Sequence, residues 1–388
     1  MEMNVKYKNN TMKKFLTSAA IALLFVANAK AQNNEIEETT SNNYVVIDMP
    51  VNADPGEAVL MQDYNNRTYL RENINSTSIT RNTHASEYVI QERLKRIPTT
   101  MDLVYNDITK GYINKYANQM KRSVGVMLAA MNFYRPIFEE ALERYGLPYE
   151  LQYLPVIESS LKPSATSPVG AAGLWQFMPS TGKTYGLRVN TLVDERRDPV
   201  KSTDAACRFL KDLYDRFGDW SLAIAAYNCG PGAVQKALSR AGGREGKSFW
   251  DIYNFLPRET RGYVPAFIGA TYIMTYYCEH GITPLHASLP ESSDTIMVEK
   301  DIRLSKVATA CGISLDQLKS LNPQYRQDIV PANSPVRLPE DMLSIFIDSQ
   351  ETIYSARVSS TSYAMNTTSG HSRSYSRTRK KSSSYRRR

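Results

Sequence analysis

The chain has 388 residues, 42% of them hydrophobic, a content and length that fit a globular protein of two or three domains with real cores. Its formal net charge of +8 excludes little by itself, because it is not a global property. Residues 371–388 hold eight Arg or Lys and no Asp or Glu, residues 1–31 hold five Lys and one Glu, and the chain between them is net negative.

At the amino terminus, Lys13 and Lys14 precede an apolar run from Phe15 to Ala27, and Ala29-Lys30-Ala31 then offers the small residues that a signal peptidase reads. The run is too short to span a bilayer, so residues 1–31 read as a signal peptide cut before Gln32, with Met12 an alternative start. Residues 32–85 are rich in Asn, Thr and Ser and read as a flexible leader. Helical periodicity begins near Ser86, with Val89, Ile90 and Leu94 on one face and Met101, Val104, Ile108 and Tyr112 on another. A third helix is predicted from about Val124 to Tyr145, closed by Gly146.

Leu147, Leu151, Leu154 and Ile157 continue at helical spacing, and Glu158 stands beside that stripe. Pro163 disfavours a helical Lys162, so the helix is expected to end within a turn of Glu158. Apolar surroundings and the negative end of the helix dipole both disfavour a charged carboxyl there. Glu158 is therefore expected to hold its proton to higher pH than an ordinary Glu, as a general acid must.

Beyond Pro179, Ser202 or Thr203 offers an N-cap for a helix on which Ala206, Phe209, Leu210, Leu213, Tyr214 and Phe217 share a face, ended by Gly218. Further helices are predicted from Trp220 to Asn228, from Gly232 to Ala241, and from near Glu259 through Tyr277. No stretch of this body reads as a sheet. The carboxy-terminal third changes character: strand candidates at Thr295–Val298 and Val336–Leu338 flank short helices at Leu304–Ala310 and Leu315–Leu321. Such a βααβ unit is small for chemistry and suits binding. Residues 355–388 read as a disordered basic tail, a solvated end or a tether to envelope polyanions, with nucleic acid the least fitting polyanion for an exported chain. The four Cys, at 207, 229, 278 and 311, and the scattered His residues form no metal pattern, so no metal and no cofactor are expected. Whether the Cys pair is left open.

Four stretches carry chemistry together. Glu158-Ser159-Ser160 follows the apolar stripe; Gly170 to Pro179 reads GAAGLWQFMP, in which small residues allow close backbone approach while Trp175, Gln176 and Met178 suit the wall of a sugar groove. Ala226-Tyr227-Asn228 sits at a helix end, and Glu259 to Pro265 supplies Tyr263. With the run Asp194-Glu195-Arg196-Arg197-Asp198-Pro199, this order and spacing over residues 87–279 resembles the lytic transglycosylases of the soluble Slt type, glycoside hydrolase family 23, and within them the membrane-bound D type that carries LysM repeats. The weaker LysM likeness rests on Leu304, Val307, Ala308, Gly312, Leu318, Asn322-Pro323 and Leu338-Pro339, without the Gly-Asp that usually precedes the first helix.

The resemblance implies a mainly α protein with a lysozyme-like helical catalytic domain over residues 146–285, an N-terminal helical segment over 86–145 packed on it, and an α+β LysM-like module over 292–342. It implies that Glu158 is a single acid and base acting on the MurNAc-GlcNAc bond of peptidoglycan strands in the periplasm or cell envelope of a bacterium. Gln176, Tyr227 and Asn228 would hold the glycan, Tyr263 would steady the Glu158 carboxyl, and Ser159 or Ser160 would orient the acid or its substrate. Most glycosidases use two carboxyls, so the alternative is a hydrolytic muramidase with Asp194, Glu195 or Asp198 as the second; those acids also fit as ion-pair partners of Arg196 and Arg197. A non-catalytic peptidoglycan-binding protein is the remaining alternative. Ser159-Ser160-Leu161-Lys162 fits an S-x-x-K pattern but lacks its Lys-Thr-Gly and Ser-Asp-Asn partners, and Gly182-Lys183-Thr184 lacks the first Gly of a phosphate-binding loop.

Overall fold

The computed structural model describes residues 85–285, 289–290 and 292–355. The signal-peptide, leader and basic-tail expectations fall outside those residues, apart from the single leader residue Ala85 and Ser355. The helical body begins with α1 (Glu87–Arg96), whose N-cap Ser86 accepts from the Val89 amide, and α2 (Asp107–Asn114), capped by Asn106. Met101 and Val104 precede that cap and are not helical. The long α3 (Lys121–Arg144) starts three residues earlier than its periodicity suggested.

The stripe around Glu158 is not one helix. Tyr149–Tyr153 is a 3-10 turn, and α4 (Leu154–Ser159) starts afresh with Pro155 in its first turn, where a missing amide donor is harmless. Ser160 (φ 52°) and Leu161 (φ 61°) end α4 by turning left-handed, so the stop comes before Pro163 acts. After α5 (Pro179–Thr184), α6 (Pro199–Phe217) begins earlier than predicted because Asp198, not Ser202 or Thr203, is its cap: its carboxylate accepts from the Val200 and Lys201 amides. Next come α7 (Trp220–Cys229), α8 (Pro231–Arg240), α9 (Phe249–Ile252), α10 (Arg258–Arg261) and α11 (Tyr263–Tyr276). The single helix expected from Glu259 is thus two, broken at Gly262.

α11 is apolar on all sides and is buried from Tyr263 through Met274, as a central core helix must be. α2, α4 and α7 pack on it, and α3 and α7 pack on α6. One continuous apolar core runs from Ile90 to Ile282, so the N-terminal helices share the body of the rest.

A second core belongs to the carboxy-terminal unit: β1 (Ser293–Val298) pairs antiparallel with β2 (Ser334–Pro339), Thr295 opposite Arg337, and encloses α12 (Leu304–Cys311) and α13 (Leu315–Leu321). Two short helices follow that the sequence reading lacked, α14 (Leu343–Asp348) and α15 (Gln350–Ser355); Phe346 and Ile353 bury into the same core. The mainly helical class with a small α+β module therefore holds. All four Cys are free thiols, and no described helix is long and apolar enough to cross a membrane.

Candidate active site

Glu158 lies in the last turn of α4 with only 8% of its surface exposed. Burial pushes its carboxyl up to about 8, against the opposing effect of a hydrogen bond from Tyr263. Among the described residues, no Asp, Glu, Lys, Arg or His contributes to that shift. Tyr263, at the start of α11 and wholly buried, donates its hydroxyl to Glu158 Oε1. Its own proton is held far above the ordinary phenol range by burial and by the charge of Glu158.

The loop after α4 is tied back to that helix. Ser159 Oγ donates to the carbonyls of Leu174 (2.9 Å) and Pro155 (3.2 Å), tying the loop to the helix end that carries Glu158. Ala172 and Phe177 exchange backbone hydrogen bonds of 3.1 Å, closing a tight hairpin around Gly173 (φ 88°) and Gln176 (φ 48°). Gly173 admits no side chain, since a Cβ there would stand 1.7 Å from the Arg196 carbonyl oxygen. The Gln176 amide nitrogen donates to the Gly173 carbonyl at 2.8 Å. That leaves its carbonyl oxygen able to accept from another hydroxyl, and Gln176 is only partly buried.

Helix α7 closes the site from the other side. The Tyr227 hydroxyl donates to the Trp175 carbonyl at 2.7 Å, and the charge of Glu158 helps hold its proton on, which puts the two side chains within electrostatic reach. Asn228 accepts from Thr260 Oγ1 at 2.8 Å, while its buried Nδ2 has no partner among the described residues. Thr260 was not singled out in the sequence; a threonine in a four-residue helix carries no periodic signal, and only its bond to Asn228 reveals it. Ser160 is partly buried and left-handed at the helix end, and Met178 is 7% exposed.

Trp175 departs from expectation. Its ring was expected to stack on a sugar, but it is fully buried, edge-on to Phe138 and donating Nε1–H to Thr203 Oγ1 at 2.9 Å, so it has no face to offer. The three acids weighed as a second carboxylate are all engaged elsewhere. Asp194 makes a two-pronged bond to Arg196 at 2.8 Å for each oxygen, Glu195 accepts from the Arg188 amide and side chain and from Lys201, and Asp198 caps α6. No cluster of His, Cys, Asp or Glu among the described residues could hold a metal ion.

Comparison with known proteins fits this geometry. Residues 135–250 match the transglycosylase SLT domain, and residues 292–355 match the LysM-like domain of lytic transglycosylase MltD. The membrane-bound lytic murein transglycosylase D of Escherichia coli K12 is 34% identical over 272 residues, which cover 69% of this chain and 59% of that protein. The chain thus spans well under the full length of that relative. The soluble lytic murein transglycosylase of the same organism is 35% identical over 113 residues, 28% of this chain and 17% of its own. Among solved structures, the 70 kDa soluble lytic transglycosylase Slt70 of E. coli aligns at 28% identity over 40% of this chain and 26% of its own, with a TM-score of 0.33.

Proposed function

With a transglycosylase SLT domain over residues 135–250 and an MltD-type LysM-like domain over residues 292–355, we propose that this protein is a peptidoglycan lytic transglycosylase acting at the cell envelope, with Glu158 as its single acid and base. The observation that carries this reading is a buried carboxyl, shifted to about 8 by burial, with a phenol bonded to one oxygen and no other carboxyl among the described residues contributing to the shift.

Near neutral pH that carboxyl is mostly protonated. With Tyr263 bonded to Oε1, the acid proton is assigned to Oε2, from which it would pass to a glycosidic oxygen. Transfer of that proton breaks the bond between MurNAc C1 and the oxygen of the next GlcNAc, which leaves as an alcohol. The resulting Glu158 carboxylate, stabilised by the Tyr263 hydrogen bond, takes the proton of the C6 hydroxyl of the same MurNAc, and O6 bonds to C1. Attack within one ring gains the advantage of a tethered nucleophile and needs no water. The product is a 1,6-anhydro end, and the acid is regenerated. Gln176 Oε1 and Asn228 Nδ2, the groups left without full partners, are the ones assigned to the glycan.

Hydrolysis would need a carboxylate to activate water across the sugar, and Asp194, Glu195 and Asp198 are committed to Arg196, to Arg188 and Lys201, and to the α6 cap. Mass spectrometry of glycan fragments tests the reading. Anhydro ends, one water lighter than reducing ends, are expected; reducing ends would point to the muramidase, and no cleavage to a binding protein.

A further inference from the structure

The LysM-like unit is joined to the helical body by more than the chain between them. Residues 190–194 of the body lie along residues 324–327 of the module: the Asp194 amide donates to the Gln324 carbonyl at 2.8 Å, and the Arg326 amide to the Leu192 carbonyl at 2.9 Å. Val193 pairs with Tyr325 as an antiparallel bridge, and its side chain, 2% exposed, belongs to the module's core alongside Val298 and Leu318. Arg326 Nη1 and Gln327 Nε2 reach the Asn190 and Thr191 carbonyls at 3.3 and 3.5 Å.

The residues that follow this seam grip the active-site loop. Arg196, aligned by its two-pronged bond to Asp194, sends Nη1 to the carbonyls of Gly170 (2.6 Å) and Phe177 (2.9 Å), the two ends of the segment containing Gln176. Arg197 holds the Ser164 carbonyl at 2.8 Å and Thr166 Oγ1 at 2.6 Å, earlier in the same loop. The hairpin keeps Gln176, a residue with a side chain, at φ 48°, a sparsely populated conformation; the Ala172–Phe177 pair, the Thr166–Ala172 bridge and the bond from the Gly173 amide to the Ala165 carbonyl hold its backbone, and Arg196 fastens its two ends. Its Leu174 carbonyl also anchors Ser159, next to the acid.

We propose that the LysM-like module positions the catalytic cleft: it fixes residues 192–194, and through Arg196, a positioning residue, it fixes the loop that presents Gln176 and braces Glu158. Glycan binding by the module would be a separate property. The proposal rests on the assigned role of Gln176 and Glu158, so its test has one arm that does not depend on cleavage.

Three full-length variants serve: V193D, which places a charge in the module's core at the seam; the milder double variant R326A/Q327A, which removes only the two side-chain bonds to residues 190 and 191; and R196K, which keeps the charge and loses the fork. Hydrogen exchange read at the amides of residues 165–177 is expected to quicken at least tenfold in V193D and R196K, and to a smaller degree in R326A/Q327A, while exchange in α11 is unchanged. Loop protection that stays at the unsubstituted level in V193D and R326A/Q327A overturns the proposal, whatever the activity. Cleavage is then compared on intact cell walls and on short soluble glycan strands, where tethering has no advantage. A fall in kcat of fivefold or more on both substrates is expected for V193D and R196K. Loss on walls alone would make the module a tether and overturn the positioning role. Should V193D not fold, R326A/Q327A decides between these outcomes. If the unsubstituted protein cleaves neither substrate, the transglycosylase reading fails, and hydrogen exchange still decides the link between module and loop.

Discussion

Tyr263 donates its hydroxyl to Glu158 Oε1 across 105 residues of sequence, and both side chains are buried. The bond does two opposed things. It lowers the acid's affinity for its proton, against the larger upward effect of burial, and it occupies one carboxyl oxygen, Oε1, leaving Oε2 without that partner.

Removing the phenol alone therefore has a signed consequence. In Tyr263→Phe the downward effect on Glu158 is gone, so the carboxyl holds its proton more tightly and the alkaline limb of the kcat profile moves to higher pH. Activity at the optimum should fall about 10- to 100-fold, as the carboxylate formed in the first step loses its donor. A pH profile whose alkaline limb stays put or moves down would contradict this role.

Glu158→Gln keeps the shape and the acceptor for Tyr263 but cannot transfer a proton. Cleavage should drop by about a thousandfold or more, in line with loss of general acid catalysis, while sedimentation with isolated cell walls persists. Cleavage at the unsubstituted rate removes Glu158 from its assigned part.

The same substitution should change stability in a pH-dependent way. The folded carboxyl titrates near 8 and the unfolded one near 4.5, so between those values the unfolded chain has released a proton that the folded chain retains. Folded-state stability then falls as pH rises, by about 1.4 kcal/mol per pH unit across that window. Glu158→Gln lacks this loss. Its advantage in denaturant unfolding should be smallest near pH 4.5 and widen toward pH 8; a constant difference would show that Glu158 is not buried as a neutral acid.

Trp175→Phe separates core from groove. The ring packs on Phe138 and its indole donates to Thr203, so the change should cost about 1–3 kcal/mol of stability through the smaller ring and the lost indole bond, while the Thr203 hydroxyl keeps its own bond to the Pro199 carbonyl. KM for soluble glycan should remain within about twofold, since no ring face meets a sugar. A large rise in KM with stability unchanged would return Trp175 to the cleft.

The local chain determined a good deal. Helix periodicity at Phe209, Leu210 and Leu213, the stops at Gly218 and Gly230, and the βααβ order after Thr295 all act among near neighbours, so they can be read along the sequence. The apolar company of Glu158 was legible for the same reason. Long-range packing decided what local pattern leaves open. An aromatic beside an amide looks alike in a core or a groove; Phe138 and Thr203 had to arrive before Trp175 was known to face inward. Asp194 could have been a base or an ion-pair partner until Arg196 closed on it. The seam joining Val193 to Tyr325 and the free amide of Asn228 belong to the tertiary structure alone, because a hydrogen bond between distant residues depends on how whole helices stack and has no periodic trace in either partner's neighbourhood.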